Sequence, residues 1–131
     1  MGTLDVLKAL ADETRLRIIN LLFMVDEMCA CEIEAVLALN QSNASRHLTR
    51  LRTSGLIRGE RRGQWVHFAL LDAFRAPDGI LEPVLNAARA DEPALRDDLD
   101  RLDEYRRNDC QCATIRERIE SVSAQRNGGS L

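Results

Sequence analysis

A change of hydrophobic period within residues 40–70 constrains the fold of this 131-residue chain more than any other feature. The first part, NQSNASRHLTRLRTSGLI, has apolar side chains at the spacing of an amphipathic helix. The second part, LIRGERRGQWVHFALL, alternates polar and apolar residues on both sides of RRGQ, as a half-buried hairpin does. We therefore expect a helix followed at once by a basic-tipped hairpin with strands Ile57–Arg61 and Trp65–Leu70.

The predicted helix has signals at both of its ends. Ser42 or Asn43 can cap its N-terminus, because short polar side chains accept hydrogen bonds from the first free N–H groups. Gly55 can end it, because glycine adopts the left-handed backbone of a C′ residue without strain. The apolar side chains expected to face the core are Ala44, Leu48 and Leu51.

Helical spacing of apolar residues also covers most of the chain on either side. GTLDVLKALADETRLRIINLLF predicts two helices, and Asp12 or Thr14 can cap the second. A third helix is predicted in EIEAVLAL. Three more are predicted after the hairpin, in ILEPVLNAARA, EPALRDDLDRLDEYRRN and ATIRERIESVSAQ, and Pro83 falls near the first turn of the first of these. The predicted fold class is mainly α with a small β-hairpin wing, in the element order of a winged helix-turn-helix.

Positive charge is concentrated in one part of the chain. The net charge is −3, yet the segment Gln41–His67 holds six arginines and one acid, so it carries +5 and the remainder −8. A basic segment in an acidic chain is the electrostatic pattern of a nucleic-acid binder.

The expected partner is double-stranded DNA, because a recognition helix enters the major groove by its N-terminal residues. Hydroxyl groups can donate to phosphates, asparagine can read adenine, and arginine can read guanine or hold a phosphate. The hairpin tip can reach the backbone or the minor groove beside the same site. The candidate DNA contacts are Ser42, Asn43, Ser45, Arg46, His47, Thr49 and Arg50 on the helix, and Arg61, Arg62 and Gln64 at the tip.

The four cysteines form two C-x-C pairs, Cys29 with Cys31 and Cys110 with Cys112. No signal peptide or bilayer-spanning apolar run is evident, so we expect a cytoplasmic chain with no membrane partner. In a reducing compartment such pairs indicate metal ligands or redox groups rather than structural disulfides.

Residues two apart point to nearly opposite sides of a helix, so each pair is expected to chelate from a non-helical turn before its helix or after unwinding the first turn. The helix N-terminus is also expected to lower the thiol pKa.

Three stretches of the chain closely resemble the ArsR/SmtB family of metal-responsive repressors, and the resemblance covers roughly residues 3–90. The stretches are LADETRLRIINLL, MCACEIE and NQSNASRHLTRLRTSGLIRGERRGQWVHFAL. The resemblance implies a homodimeric winged helix-turn-helix that represses its own operon until a metal or metalloid binds. It also implies that the helices in TLDVLKAL and ILEPVLNAARA form the dimer interface. We expect residues 1–90 to be the DNA-binding and dimerisation domain, and residues 91–131 a C-terminal helical extension with the second cysteine pair.

Within that family, the first cysteine pair resembles the pattern of arsenic repressors, commonly ELCVCDLC. EMCACEIE matches it at Cys29 and Cys31 but has Glu34 in place of the third cysteine. Arsenite and antimonite are soft, three-coordinate acceptors that favour three thiolates. The expected inducer is trivalent arsenic, with antimonite, the trivalent antimony compound, as the other candidate. The third thiolate is expected from Cys110 or Cys112 of the same or the partner chain.

Several alternatives stay open at this level. Two thiolates alone suit a methylated trivalent arsenical, and four can form a tetrahedral cadmium or zinc site. A repressor of this kind can also sense lead or, through its paired cysteines, the thiol redox state. The zinc and nickel site implied by the family is not expected, because DAFRAPDGILEPVLNAARADE has no histidine. His47 and His67 are expected to have roles other than binding a metal. No enzyme is expected, because no acid–base partner or phosphate cradle accompanies the cysteines.

Overall fold

The computed structural model describes residues 2–108, and this part of the chain forms six α-helices and a three-stranded sheet. The helices are α1 (Thr3–Leu10), α2 (Glu13–Met24), α3 (Ala30–Leu37), α4 (Gln41–Thr53), α5 (Leu81–Asp91) and α6 (Pro93–Arg107). The strands are β1 (Met28–Cys29), β2 (Ile57–Arg62) and β3 (Trp65–Leu70), and a 3-10 turn follows at Asp72–Phe74. The mainly α class with a hairpin wing is confirmed. The helix predicted in ATIRERIESVSAQ, and Cys110 and Cys112 with it, lie outside the described residues.

The sheet joins the predicted hairpin to a strand that the sequence did not reveal. β2 and β3 pair antiparallel from Ile57 with Leu70 to Arg62 with Trp65, around a turn in which Gly63 has a φ of 63°. The added strand β1 lies on the other side of β3, in the order β1-β3-β2. Its two residues pair Met28 with Phe68 and Cys29 with His67. One cysteine of the first pair is therefore part of the wing sheet.

Helix α4 ends as predicted but begins earlier. Its N-cap is Asn40, whose Oδ1 accepts a hydrogen bond from the Asn43 N–H at 2.8 Å. The predicted caps Ser42 and Asn43 were wrong, because an asparagine at i accepts from the N–H at i+3, which puts the predicted residues inside the first turn. Gly55 follows the C-cap with a φ of 78°, as expected.

Helix α6 is anchored to α2 and α3 by a buried carboxylate. Asp98 is fully buried and accepts hydrogen bonds from Arg17 Nε at 2.7 Å and Nη2 at 2.8 Å. Arg101 also contacts Asp98, and its Nε donates to the Val36 carbonyl at 2.9 Å. α6 therefore packs on the same core as the preceding helices, while the domain division at residue 90 stays a prediction.

Helix α1 presents apolar side chains to solvent. Leu4 is 63% exposed and Leu7 43% exposed, whereas Leu10 is buried. Adjacent exposed leucines are typical of a surface that another chain covers. None of the helices within residues 2–108 is both long enough and apolar enough to cross a membrane.

Candidate dithiol site and nucleic-acid interface

The first cysteine pair lies at the junction of β1 and α3. Cys29 ends the strand and is the N-cap of α3, while Cys31 is the second residue of the helix. Their Sγ atoms are 3.3 Å apart. Two sulfurs that bind the same ion, each at about 2.3 Å, lie roughly 3–4 Å apart. The observed spacing therefore suits one ion or metalloid held by both sulfurs. Cys29 precedes α3 and Cys31 lies in its first turn, which fits the second of the two predicted alternatives for Cys31, and the strand-to-helix junction brings the two sulfurs together.

The two thiols differ in state and environment. Cys29 is a free thiol and only 2% exposed, and Cys31 is disulfide-bonded in this structure. Burial is the main cause that raises the pKa of Cys29 to about 11, and the Glu32 carboxylate adds to this, while backbone N–H groups oppose it. The expected lowering of the thiol pKa by the helix N-terminus was therefore wrong for Cys29, because removing the thiol from water outweighs the helix dipole.

Glu32 is a residue of this site that the sequence reasoning missed. Its side chain is buried, and its Oε1 accepts hydrogen bonds from the Cys29 N–H at 3.1 Å and from Cys29 Sγ at 3.5 Å. An acidic residue three positions after an N-cap is the pattern of a capping box. With cysteine in the place of serine, that pattern is the signal that could have identified Glu32.

A cleft of about 380 Å³ connects the dithiol to the recognition helix and the wing. The dithiol side of the cleft contains both cysteines and Glu34, the residue in the place of the family's third cysteine. The opposite walls are formed by Ser45, Leu48, Thr49 and Arg52 of α4 and by Trp65, Val66 and Phe68 of β3. Within residues 2–108, no three His, Cys, Asp or Glu side chains are grouped to hold a metal ion. This part of the chain therefore offers two sulfur ligands once Cys31 is reduced.

Most of the candidate DNA contacts lie exposed on α4 and at the hairpin tip. The exposed members are Ser42, Ser45, Arg46, Thr49, Arg50, Arg61, Arg62 and Gln64. Asn43 is half-buried, and its Oδ1 accepts a hydrogen bond from Arg46 Nη2 at 2.7 Å. Of these candidates, Ser45 and Thr49 of α4 and Gln64 at the hairpin tip line the same cleft.

Two other candidate DNA contacts, His47 and Arg62, lie beside acidic side chains of the protein. His47 is buried with its Nδ1 3.7 Å from an Asp12 carboxylate oxygen, and burial lowers the pKa of His47. This geometry supports a packing role for His47 rather than a phosphate contact. Arg62 donates to both carboxylate oxygens of Glu27, with Nη1 at 2.8 Å from Oε1, and these hydrogen bonds lower the pKa of Glu27. His67 also faces Glu27, at 3.5 Å.

Comparison with known proteins identifies relatives of this arrangement. The family model described as "Bacterial regulatory protein, arsR family" matches residues 12–58. The chain is 44% identical over 66 residues to the arsenic resistance transcriptional regulator ArsR2 of Pseudomonas putida, which covers 50% of this chain and 57% of that protein. It is 39% identical over 90 residues to the HTH-type transcriptional regulator CmtR of Mycobacterium bovis, covering 67% of this chain and 75% of that protein.

Solved structures show the same architecture. The homodimeric winged helix-turn-helix DNA-binding domain of a possible ArsR-family regulator from Mycobacterium bovis superposes with a TM-score of 0.52 at 29% identity. That match covers 68% of this chain and 78% of the solved chain. The chain spans 51% to 57% of the length of three arsenic-resistance relatives that it matches.

Proposed function

The chain belongs to the ArsR family of bacterial regulatory proteins, and on that basis we propose that it is a homodimeric repressor of operator DNA that senses trivalent arsenic. Arsenite, and by the same chemistry antimonite, binds the reduced thiols of Cys29 and Cys31. The observation that carries the proposal is the 3.3 Å separation of the two Sγ atoms beside the recognition helix. As a DNA-binding regulator, it would act in the cytoplasm.

The protonation state of the site supports arsenous acid over a divalent cation. Each arsenic–sulfur bond forms as the thiol proton leaves with an arsenic-bound hydroxide as water, so two thiols release two waters and no net charge enters the site. Cadmium or lead would instead require two thiolates and would release two protons. Because the buried Cys29 thiol is protonated at neutral pH, the exchange of hydroxide for thiol is the easier reaction.

Two contacts would transmit binding to the DNA-reading elements. α3 is followed by α4 after a short turn, and Cys29 pairs with His67 of the wing strand β3. A change at the dithiol therefore acts on the recognition helix and on the wing together. In a dimer whose recognition helices must fit successive major grooves, a small change in either element lowers DNA affinity. Coupling of this kind typically changes affinity by about 5- to 150-fold.

The third thiolate is proposed to come from Cys110 or Cys112, which lie outside the described residues. Replacing both with serine is expected to weaken arsenite binding to the reduced chain by about tenfold or more, each tenfold corresponding to about 1.4 kcal/mol. A methylated trivalent arsenical has only two positions for thiols and should bind both proteins equally, which makes it the matched control. Titration calorimetry measures both affinities. Equal arsenite affinity in the two proteins would remove the tail from the site.

The wing tip is expected to supply phosphate contacts. The test uses a DNA duplex that the metalloid-free protein has selected from a random pool, called the selected duplex below. Arg61→Gln should weaken binding to this duplex and reduce the magnitude of the slope of log K against log salt by about 0.9. Arg107→Gln removes the same charge from an exposed position of α6 and serves as the control. Fluorescence anisotropy at four salt concentrations gives both slopes. An unchanged slope in Arg61→Gln would place the wing tip away from DNA.

Thiol redox sensing is a second candidate, because Cys31 is disulfide-bonded beside the free Cys29 thiol. It predicts that an oxidant without any metalloid releases the selected duplex and that a reductant restores binding. Retention of DNA by the oxidised protein, together with release of the reduced protein by arsenite, would exclude it.

A further inference from the structure

We propose that Glu32 and Arg106 transmit metalloid binding from Cys29 to the wing through α6. The chain of contacts runs from Cys29 to Glu32, Arg106, Glu27 and Arg62, and we call it the wing relay. It rests on the proposed role of the dithiol and adds the residues that couple it to DNA binding.

The first link of the wing relay is lost by the chemistry of binding itself. Cys29 Sγ donates to Glu32 Oε1 at 3.5 Å, and the Cys29 N–H donates to the same oxygen at 3.1 Å. A sulfur bonded to arsenic has no hydrogen left to donate. Binding therefore removes the Sγ donor, and the buried Glu32 carboxylate loses one of its two hydrogen-bond donors on Cys29. The arrangement of Glu32 consequently depends on whether Cys29 is occupied.

The second link makes Arg106 follow Glu32. Glu32 Oε2 lies 3.5 Å from Arg106 Nη2, and within residues 2–108 no donor reaches this buried oxygen at hydrogen-bond geometry. A buried carboxylate without its counter-ion is strongly destabilised. A shift of Glu32 must therefore be accompanied by Arg106 or leave a charge uncompensated, which makes α6 sensitive to the dithiol.

The third link reaches the wing. The same Nη2 of Arg106 donates to the Glu27 carbonyl at 3.2 Å, just before β1. The Glu27 carboxylate in turn holds Arg62, the last residue of β2, with Nη1 2.8 Å from Oε1. Arg106 thus connects a residue beside the dithiol to the segment that fixes the base of the wing tip. This path leaves α3 at Glu32 and reaches the wing without passing through α4.

Two substitutions separate coupling from folding. Glu32→Gln keeps an oxygen to accept from the Cys29 N–H, so the start of α3 is preserved while the charge that holds Arg106 is removed. Arg106→Gln removes the other partner, and Arg107→Gln, whose side chain is 72% exposed on the same helix, is the matched control. Each full-length, reduced variant is compared with the wild type by the ratio of its dissociation constants for the selected duplex with and without saturating arsenite.

We expect Glu32→Gln and Arg106→Gln each to reduce this ratio by about fivefold or more, and Arg107→Gln to leave it at the wild-type value. The double variant should lose no more than one single variant, because both residues belong to one path. Arg106→Lys, which keeps the charge, should restore part of the ratio. Arsenic X-ray absorption should give the same number of sulfur ligands in every variant, which a general distortion of the site would change.

A wild-type ratio in Arg106→Gln with unchanged sulfur ligation would overturn the wing relay and leave the dithiol sensor intact. Effects of Glu32→Gln and Arg106→Gln that multiply in the double variant would also overturn it, because they would be independent. A wild-type protein that binds no arsenite contradicts the proposed function before any variant is made, so the two failures are distinguishable.

Discussion

Cys29→Ser is expected to keep its affinity for the selected duplex and to lose release by arsenite. Serine is a good N-cap, so the start of α3 should be preserved. A serine hydroxyl does not replace a thiolate for a soft acceptor such as trivalent arsenic, so the chelate at the β1–α3 junction is lost. Anisotropy with the reduced protein, with and without arsenite, measures both properties, and the wild-type release should fall to no detectable change.

The matched control for this substitution is Ala30→Ser. It adds a hydroxyl between the two cysteines, on the wall of the same cleft, and leaves both thiols in place. Ala30→Ser should release DNA as the wild type does. Normal release by Cys29→Ser would remove this residue from the sensor and with it the basis of the proposed function.

Asp98→Ala is expected to destabilise the folded chain by about 3–5 kcal/mol, the usual cost of removing one partner from a buried ion pair. Asp98 is fully buried, and Arg17, which donates two hydrogen bonds to it, has a side chain only 17% exposed. The substitution leaves that guanidinium without its carboxylate and also frees Arg101. Urea unfolding at one fixed protein concentration, monitored by circular dichroism, gives the change in the free energy of unfolding.

Asp97→Ala is the control for Asp98→Ala, because Asp97 precedes it on α6 and is exposed. The control should change the free energy of unfolding by no more than about 0.5 kcal/mol. Similar losses for the two variants would mean that α6 is not held by Asp98, and would weaken the inference that α6 can carry a signal.

The sequence predicted the elements whose patterns are long and local. The helical spacing of Leu48 and Leu51 and the alternation around Gly63 span enough residues to show a period, and both elements were found within a residue or two of their ends. β1 was missed because a two-residue strand has no period. Its existence depends on pairing with β3, about 40 residues further along the chain.

The features that the sequence did not reveal depend on distant partners. The ion pair of Arg62 with Glu27, 35 residues away, was not predicted. The helix N-terminus predicted a lowered pKa for Cys29, yet burial at the sheet junction raises it. Asp98 is one of several acids in RDDLD, and only the position of Arg17 distinguishes it from its exposed neighbours.

The most direct test of the arsenic sensor is arsenic X-ray absorption on a variant whose only cysteines are Cys29 and Cys31, made by changing Cys110 and Cys112 to serine. The protein is reduced with a phosphine, so that no external thiol is present, and is loaded with one equivalent of arsenite per chain. The dithiol account predicts two sulfur ligands in this variant and three in the wild-type chain. Arsenic coordinated by oxygen alone in the variant would contradict it.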